Sequence, residues 1–175
     1  MQIFIVRDYM AKYPDLKGKA LTDRLIIDLL GENAQILRSV AGKPSISWEK
    51  DAEPPFVSVS HTGDIFACVF DRDNVGVDVQ IEKKMDFVRV SRRYYTAEEQ
   101  KYVGSDPGRF FEVWTRKEAF AKYTGLGLAQ VTSHEDVLNR NDVIFRDVTI
   151  YDGYHMSICT AAGAEEKDYE IHFLD

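Results

Sequence analysis

The pattern of apolar and polar positions predicts a strand and then a helix at the start of the chain. Residues 1–7, Met-Gln-Ile-Phe-Ile-Val-Arg, are mostly apolar, which indicates a first strand. Between Leu16 and Ile36 the apolar residues recur three and four positions apart, the spacing of one amphipathic helix. The stretch 41–55 is rich in turn-forming residues and is predicted to be a loop.

Three short β-branched runs predict strands in the middle of the chain. They cover residues 56–60, 65–70 and 75–79, and the turns 61–64 and 71–74 separate them. Consecutive strands joined by short turns favour an antiparallel meander.

Helix signals follow the strands. Residues 86–95 combine a basic and an apolar face, and Thr96–Glu99 has the pattern of a capping box. A further helix is predicted from Arg109 to Tyr123, ending at Gly125. Strands are predicted over 143–151, 154–161 and 169–173. This order predicts an α+β protein.

Composition narrows the class of protein. The 175 residues are 45% apolar and 29% charged, typical of a soluble globular protein. No apolar run approaches the roughly 20 residues that span a bilayer, so we expect no membrane partner. Cys68 and Cys159 each lie in an apolar run, which favours buried reduced thiols and a cytoplasmic location.

The charge distribution restricts the partners. A net charge of −7 disfavours nucleic-acid binding, because phosphate contacts need clustered lysines and arginines. Arg89, Arg92 and Arg93 nevertheless lie within five residues, on one face of the helix predicted there. They form either a docking surface for an acidic partner or an ordinary solvated face whose positive charge is balanced by Glu98 and Glu99.

Several polar residues are candidates for chemistry, and each also has a purely structural interpretation. Asp78 interrupts a run of valines, where a carboxylate is costly to desolvate unless it is paired or metal-bound. Glu118 and Lys122 are four apart in the apolar helix predicted over 109–123, so they share a face. The alternatives are a solvent-facing aspartate and a surface ion pair. His61, in a turn, and Lys43, in a loop, are unremarkable when taken singly.

Taken together, the segments resemble a known family. Gly42-Lys-Pro, Ser58-Val-Ser-His-Thr-Gly-Asp, Gly76-Val-Asp and Trp114-Thr-Arg-Lys-Glu-Ala-Phe-Ala-Lys occur in one order. This set resembles the phosphopantetheinyl transferases of the surfactin-synthetase type over roughly residues 20–130. The resemblance implies two similar lobes related by pseudo-twofold symmetry, 1–76 and 77–175, each with a small antiparallel sheet packed with a long helix.

The resemblance also implies roles for individual residues. Asp78 and Glu118 are expected to hold Mg²⁺, and Lys117 and Lys122 to stand near the phosphates of coenzyme A. The adenosine diphosphate part is expected to contact the remaining residues of the predicted site, which are Lys43, Ser60, His61 and, by a weaker match, Arg24.

Gln80 departs from the family pattern, because many members have a glutamate there as a further metal ligand. Glutamine offers only a neutral oxygen, so we expect two protein carboxylates, with water or the Gln80 amide filling the gap. Gln80 cannot accept a proton, which leaves Glu118 as the best candidate base.

The implied activity is the Mg²⁺-dependent transfer of phosphopantetheine from coenzyme A to a serine of an apo acyl or peptidyl carrier protein, with adenosine 3′,5′-bisphosphate as the other product. A monomer is expected, since the two lobes complete the site. Two rival functions stay open: a metal-dependent phosphohydrolase acting on nucleotides or coenzyme A, and a non-catalytic module that binds coenzyme A or a carrier. The sequence does not identify the carrier or its pathway.

Overall fold

The computed structural model describes residues 1–40, 42–48, 53–131, 135–163 and 168–175. The elements in chain order are β1 (Gln2–Arg7), α1 (Tyr9–Lys12), α2 (Gly18–Leu30), β2 (Ala34–Arg38), β3 (Pro44–Trp48), β4 (Phe56–Thr62), β5 (Ile65–Asp71), β6 (Gly76–Ile81), α3 (Phe87–Tyr94), α4 (Ala97–Val103), α5 (Pro107–Thr124), α6 (Leu128–Val131), β7 (Val143–Asp147), β8 (Tyr154–Ala161) and β9 (Glu170–Leu174).

The strands form two main sheets and a hairpin. The first sheet has the order β4-β5-β1-β9, the second has the order β6-β8-β7, and β2 pairs with β3. These elements confirm the predicted α+β class. The first sheet is mixed rather than antiparallel, because β9 runs parallel to β1. The division into lobes of 1–76 and 77–175 stays a prediction, and β9 qualifies it, since this last strand lies in the sheet of the N-terminal half.

Helices cover the outer faces of the two sheets, and a shared core lies between the sheets. Helix α2 packs on the first sheet, with Leu25 and Ile26 buried against Phe66. Helix α5 packs on the second sheet in a cluster rich in aromatic rings. The shared core joins side chains of β1 and β6, among them Ile5 and Val77. The layers are therefore helix, sheet, sheet and helix.

Strand β6 is the element that brings α5 close to the sheet. Its odd-numbered valines face the shared core, so its even-numbered positions face α5. Gly76 is one of these even positions, and a Cβ there would lie 2.0 Å from the carbonyl oxygen of Ala119. Only glycine permits this approach, and Asp78, two residues further along, faces the same helix.

Two predicted elements are corrected near the N-terminus. The helix predicted from Leu16 to Ile36 ends at Leu30, because Gly31 adopts a φ of 103° that breaks the helix, and Ile36 belongs to β2. The loop predicted over 41–55 contains β3, which pairs with β2. Residues 41 and 49–52 of that loop lie outside the described residues.

The predicted meander is right for its first two strands only. Strands β4 and β5 pair antiparallel, whereas β6 pairs with β8 in the second sheet. Side chains rather than a backbone ladder connect β4 and β6. The amide of Val77 donates to Ser58 Oγ (3.0 Å), at the point where the two sheets meet.

Local helix signals proved reliable. The capping box from Thr96 to Glu99 is present, and α5 ends where Gly125 adopts the left-handed conformation. Helix α5 starts at Pro107 after the N-cap Asp106, two residues before the predicted start. Both cysteines are buried and free, as predicted. Within the described ranges, no helix has the length and apolar character needed to cross a bilayer.

Candidate active site

A cleft of about 230 Å³ lies between strand β4, the segment that enters β3 and helix α5. Its charged lining consists of the cations Arg38, Lys43 and Lys122 and the acid Glu118. A concave site with several cations close together is suited to a polyanionic ligand.

Asp78 lies at the inner end of this charge cluster and is buried. Its Oδ1 accepts hydrogen bonds from Ser60 Oγ (2.7 Å) and from Lys122 Nζ (2.8 Å). Its Oδ2 is buried and has no hydrogen-bond partner among the described residues. A buried carboxylate oxygen without a partner is costly, so this atom indicates a place where a ligand would bind.

Glu118 shares the electrostatic environment of Asp78. The pKa of Glu118 is raised to about 7, first by burial and then by the negative charge of Asp78, and the positive charge of Lys122 partly offsets both effects. Two carboxylates that repel each other in this way favour a cation between them.

The donor set fits a magnesium ion that is shared with a phosphate ligand. Magnesium prefers oxygen ligands and is commonly held by one or two carboxylates together with substrate phosphates. Asp78 and Glu118 supply the carboxylates, and Gln80 is half-buried on the same face of β6 as Asp78. The described residues contain no group of three or more histidine, cysteine or acidic side chains able to hold a metal alone.

Lys43, predicted to contact the nucleotide, lines the cleft but already has protein partners. Its Nζ donates to Asn74 Oδ1 (2.8 Å) and to the carbonyl of Tyr123 (3.4 Å), at the C-terminal end of α5. Burial lowers its pKa from the ordinary lysine value. Lys43 therefore also joins the β2–β3 hairpin to α5.

His61 and Ser60 lie at the end of β4. The His61 ring is 5.8 Å from the ring of Tyr9, and partial burial, followed by the charge of Lys122, lowers its pKa. Ser60 is buried, and its hydroxyl donates to Asp78, so its observed contact is with the carboxylate. The structure thus brings Ser60 and Lys122 into contact with Asp78, whereas His61 alternates with Ser60 along β4 and lies beside Tyr9.

The structure corrects the role predicted for Lys117. Its side chain is 0% exposed, and its Nζ lies 2.8 Å from Glu99 Oε2, whose side chain is also 0% exposed. The same ammonium group donates to the carbonyl of Glu135 (2.6 Å). Lys117 therefore faces α4 and Glu135, away from the cleft. The next residue, Glu118, lines the cleft, and adjacent helical residues point about 100° apart.

Arg24 is not brought to the cleft either. Its guanidinium pairs with Asp28 (2.6 Å) and Glu32 (2.5 Å), and Arg24 is absent from the described cleft lining. Arg38, which sequence reasoning missed, lies there instead and donates to the carbonyl of Gly42 (2.8 Å). The sequence offered one indication of Arg38, namely its position four residues before the Gly42-Lys-Pro segment.

The basic residues predicted for docking lie on α3. Arg89, Arg92 and Arg93 are all exposed. Glu99, one of the acids weighed as their surface partners, is instead buried against Lys117. The exposed apolar side chains of Met85 and Val88 precede these three arginines in the chain. The surface is basic and partly apolar.

Comparison with known proteins identifies the family of the chain. The model of the 4′-phosphopantetheinyl transferase superfamily matches residues 74–169. The chain is 28% identical over 131 residues to a putative 4′-phosphopantetheinyl transferase of Synechocystis, covering 66% of this chain and 53% of that protein. It is 26% identical over 132 residues to the enzyme of that name from Bacillus pumilus, covering 65% and 56%. A third relative, from Aneurinibacillus migulanus, is 25% identical over 169 residues, covering 85% and 68%. The chain thus spans about half the length of the first two relatives.

Proposed function

The chain belongs to the 4′-phosphopantetheinyl transferase superfamily, and from this premise we propose that it transfers the phosphopantetheine arm of coenzyme A to a serine of an apo acyl or peptidyl carrier protein. The observation that carries the proposal is the buried Asp78, with one unsatisfied carboxylate oxygen, and the half-buried Glu118 at a cleft lined by cations. Pyrophosphate chemistry needs such an arrangement, because negative charge must be neutralised where it develops.

Coenzyme A would bind through its phosphates. Lys122 and Arg38 face the cleft with donors suited to phosphate oxygens, and Lys43 lies at its border. We assign Ser60 and His61 to the adenosine diphosphate part, on the strength of their place beside Lys122. Lys117 and Arg24 are left out, since neither is in the described lining of the cleft and each pairs with carboxylates elsewhere.

Asp78 and Glu118 would hold Mg²⁺, with the amide oxygen of Gln80 or water completing the ligands. When bound, Mg²⁺ would neutralise charge on the pyrophosphate. The Oδ2 atom of Asp78 is the available oxygen, because Oδ1 already accepts from Ser60 and Lys122.

In the proposed reaction the serine oxygen attacks the β-phosphorus of coenzyme A. The new O–P bond forms as the bond to the bridging pyrophosphate oxygen breaks, and adenosine 3′,5′-bisphosphate leaves with the electron pair. We assign the serine proton to Glu118, because it is the carboxylate that lines the cleft and the amide of Gln80 cannot accept a proton. Lys122 stabilises the charge on the leaving group.

The carrier would dock on α3 through Arg89, Arg92 and Arg93, opposite acidic residues of its own. We propose a monomer, as the resemblance to the two-lobe transferases implies. The free buried thiols support a reducing compartment, the cytoplasm.

Intact-mass measurement tests the proposal. The protein is incubated with coenzyme A, Mg²⁺ and a panel of apo carriers from fatty-acid, polyketide and nonribosomal-peptide systems. One phosphopantetheine should appear on the carrier serine, and neither a serine-to-alanine carrier nor an Asp78→Ala enzyme should give it. Phosphopantetheine released without any carrier would favour the phosphohydrolase, and coenzyme A binding without turnover would favour the binding module.

A further inference from the structure

His155 lies on the same sheet face as the catalytic acids, one pairing step beyond them. In the β6–β8 ladder Asp78 pairs with Ser157, and Gln80 pairs with His155. Paired residues point to the same face of a sheet. Helix α5 covers this face, since the hydroxyls of Thr115 and Ser157 lie 2.8 Å apart. His155 is therefore the cross-strand neighbour of Gln80, and it lies two residues further along the sheet than the Asp78–Ser157 pair.

The imidazole of His155 is held in a defined orientation. Its ring stacks on Phe111 of α5, with centroids 5.4 Å apart and planes 20° apart, and Phe111 is buried. Its Nε2 lies 2.8 Å from Glu82 Oε1. The His155 side chain is still 24% exposed, and Nδ1 has no hydrogen-bond partner among the described residues. A histidine fixed by a carboxylate, with its other nitrogen available, is suited to bind a hydroxyl or amide group.

This histidine lies between the acids and the basic surface of α3. Phe111, on which His155 stacks, also contacts Phe87 of α3, with ring centroids 5.8 Å apart. The cation-lined cleft is at the opposite end of α5, near Lys122. His155 therefore lies on the α3 side of Asp78, and the cation-lined cleft lies on the other side.

We propose that His155, oriented by Glu82 and Phe111, binds the acceptor segment of the carrier protein and positions its serine for attack. The inference rests on the proposed function and adds to it a residue on the acceptor side. His155 contributes a hydrogen bond to the acceptor and none to coenzyme A. Glu82 acts through His155 and is a positioning residue.

The chain contains a matched control histidine on the other sheet. His172 stacks on Phe4 with centroids 4.7 Å apart, and its Nε2 lies 2.6 Å from Gln2 Oε1. Like His155, it is a partly exposed strand histidine with an aromatic neighbour, and its Nε2 also lies 3.8 Å from a carboxylate oxygen, Glu170 Oε2. It belongs to β9, which is paired with β1 in the first sheet.

The test compares His155→Ala, His155→Gln, Glu82→Gln and His172→Ala, measuring kcat and KM for the carrier and for coenzyme A, together with Tm. His155→Ala should lower kcat/KM for the carrier at least about tenfold, the loss expected when one hydrogen bond is removed, and leave the KM for coenzyme A within about twofold. His155→Gln should recover part of the loss, and Glu82→Gln should cause a smaller one. His172→Ala should match the wild type.

Equal carrier kinetics for wild type, His155→Ala and Glu82→Gln would overturn the inference and leave the transferase function standing. A parallel rise in the KM for coenzyme A would also overturn it, because His155 would then act on the nucleotide side. A wild-type protein that modifies no carrier in the panel would overturn both. If His155→Ala fails to fold, the other two variants test the inference. Carrier kinetics equal to the wild type in both His155→Gln and Glu82→Gln would then overturn it.

Discussion

Two lysines of helix α5, five residues apart, should differ in what their removal changes: mainly folding stability for Lys117 and mainly catalysis for Lys122. Lys117 is buried in an ion pair with Glu99, and Lys122 lies beside Asp78 at the cleft with 29% of its side chain exposed. We expect Lys117→Met to reduce folding stability strongly. Lys122→Met should reduce catalysis strongly and stability less than Lys117→Met, because the Lys122–Asp78 pair is partly open to solvent and therefore screened.

The magnitude for Lys117 follows from its partners. Glu99 Oε2 accepts from the amide of Thr96, and Oε1 accepts from the amide of Val137. Removing Lys117 leaves this fully buried carboxylate with its hydrogen bonds but without a counterion, which typically costs about 3–5 kcal/mol. For a protein of this size each kcal/mol lowers Tm by roughly 2–4 °C, so the fall in Tm should be on the order of 10 °C.

Thermal unfolding followed by circular dichroism measures the stability change, and a carrier-modification assay below both Tm values measures kcat/KM. Lys122→Met should lose less Tm than Lys117→Met and lose at least about 10²-fold in kcat/KM, as expected when a transition-state charge contact is removed. The double variant Lys117→Met with Glu99→Gln should recover part of the lost stability, because it removes the unpaired charge and keeps an oxygen that accepts from a backbone amide.

A Lys117→Met protein with wild-type Tm and a raised KM for coenzyme A would refute this reasoning. It would mean that the ammonium group reaches the phosphates, as the sequence resemblance implied. A loss of stability in Lys122→Met as large as in Lys117→Met would also refute it.

Three further predictions concern the acids and the docking surface. Glu118→Gln should lose at least about 10²-fold in rate and stay folded. Because the folded-state pKa of Glu118 is raised from 4.5 to about 7, its proton stabilises the fold below pH 4.5, and this contribution is lost as pH rises through 7. In metal-free buffer, the Tm of Glu118→Gln should therefore rise relative to wild type between pH 4.5 and 8, and no relative change would contradict the burial argument. Gln80→Glu should stay active and tighten Mg²⁺ binding measured by calorimetry; an inactive but folded variant would show a separate role for the amide. Arg89→Glu combined with Arg93→Glu should raise the KM for the carrier, leave that for coenzyme A, and weaken the salt dependence, whereas an unchanged carrier KM would place docking elsewhere.

Features set by local interactions were predictable from the sequence. The capping box at Thr96 and the helix end at Gly125 depend on residues within one turn, and both are present. The pairing of β6 was not predictable from local signals, because its partner β8 begins more than 70 residues later. Strand β3 was missed because its first residue, Pro44, and the glycine before it read as a turn.

Within the site, residue types were predictable and the orientation of their side chains was not. Asp78, Glu118 and Lys122 were all identified, and the structure places them together. Arg38 was missed and Lys117 was misassigned, because both assignments depend on tertiary partners. For Arg38 the partners are Asp23 and the carbonyl of Gly42. The helical period leaves open which side of α5 faces the cleft, since apolar residues occur around most of it.

The buried Lys117–Glu99 pair and Gly76 together explain how the site is assembled. Gly76 allows the backbone of α5 to approach β6, which sets the distance between helix and strand. The ion pair fixes the rotation of the same helix, because Lys117 must point to Glu99 to stay paired. Successive helical residues differ by about 100°, so with Lys117 directed to α4, Glu118 is turned toward Asp78. Under the proposed function we therefore expect Lys117 to support the site by fixing this rotation, without contacting coenzyme A, and the loss of activity in Lys117→Met should follow the loss of folded protein.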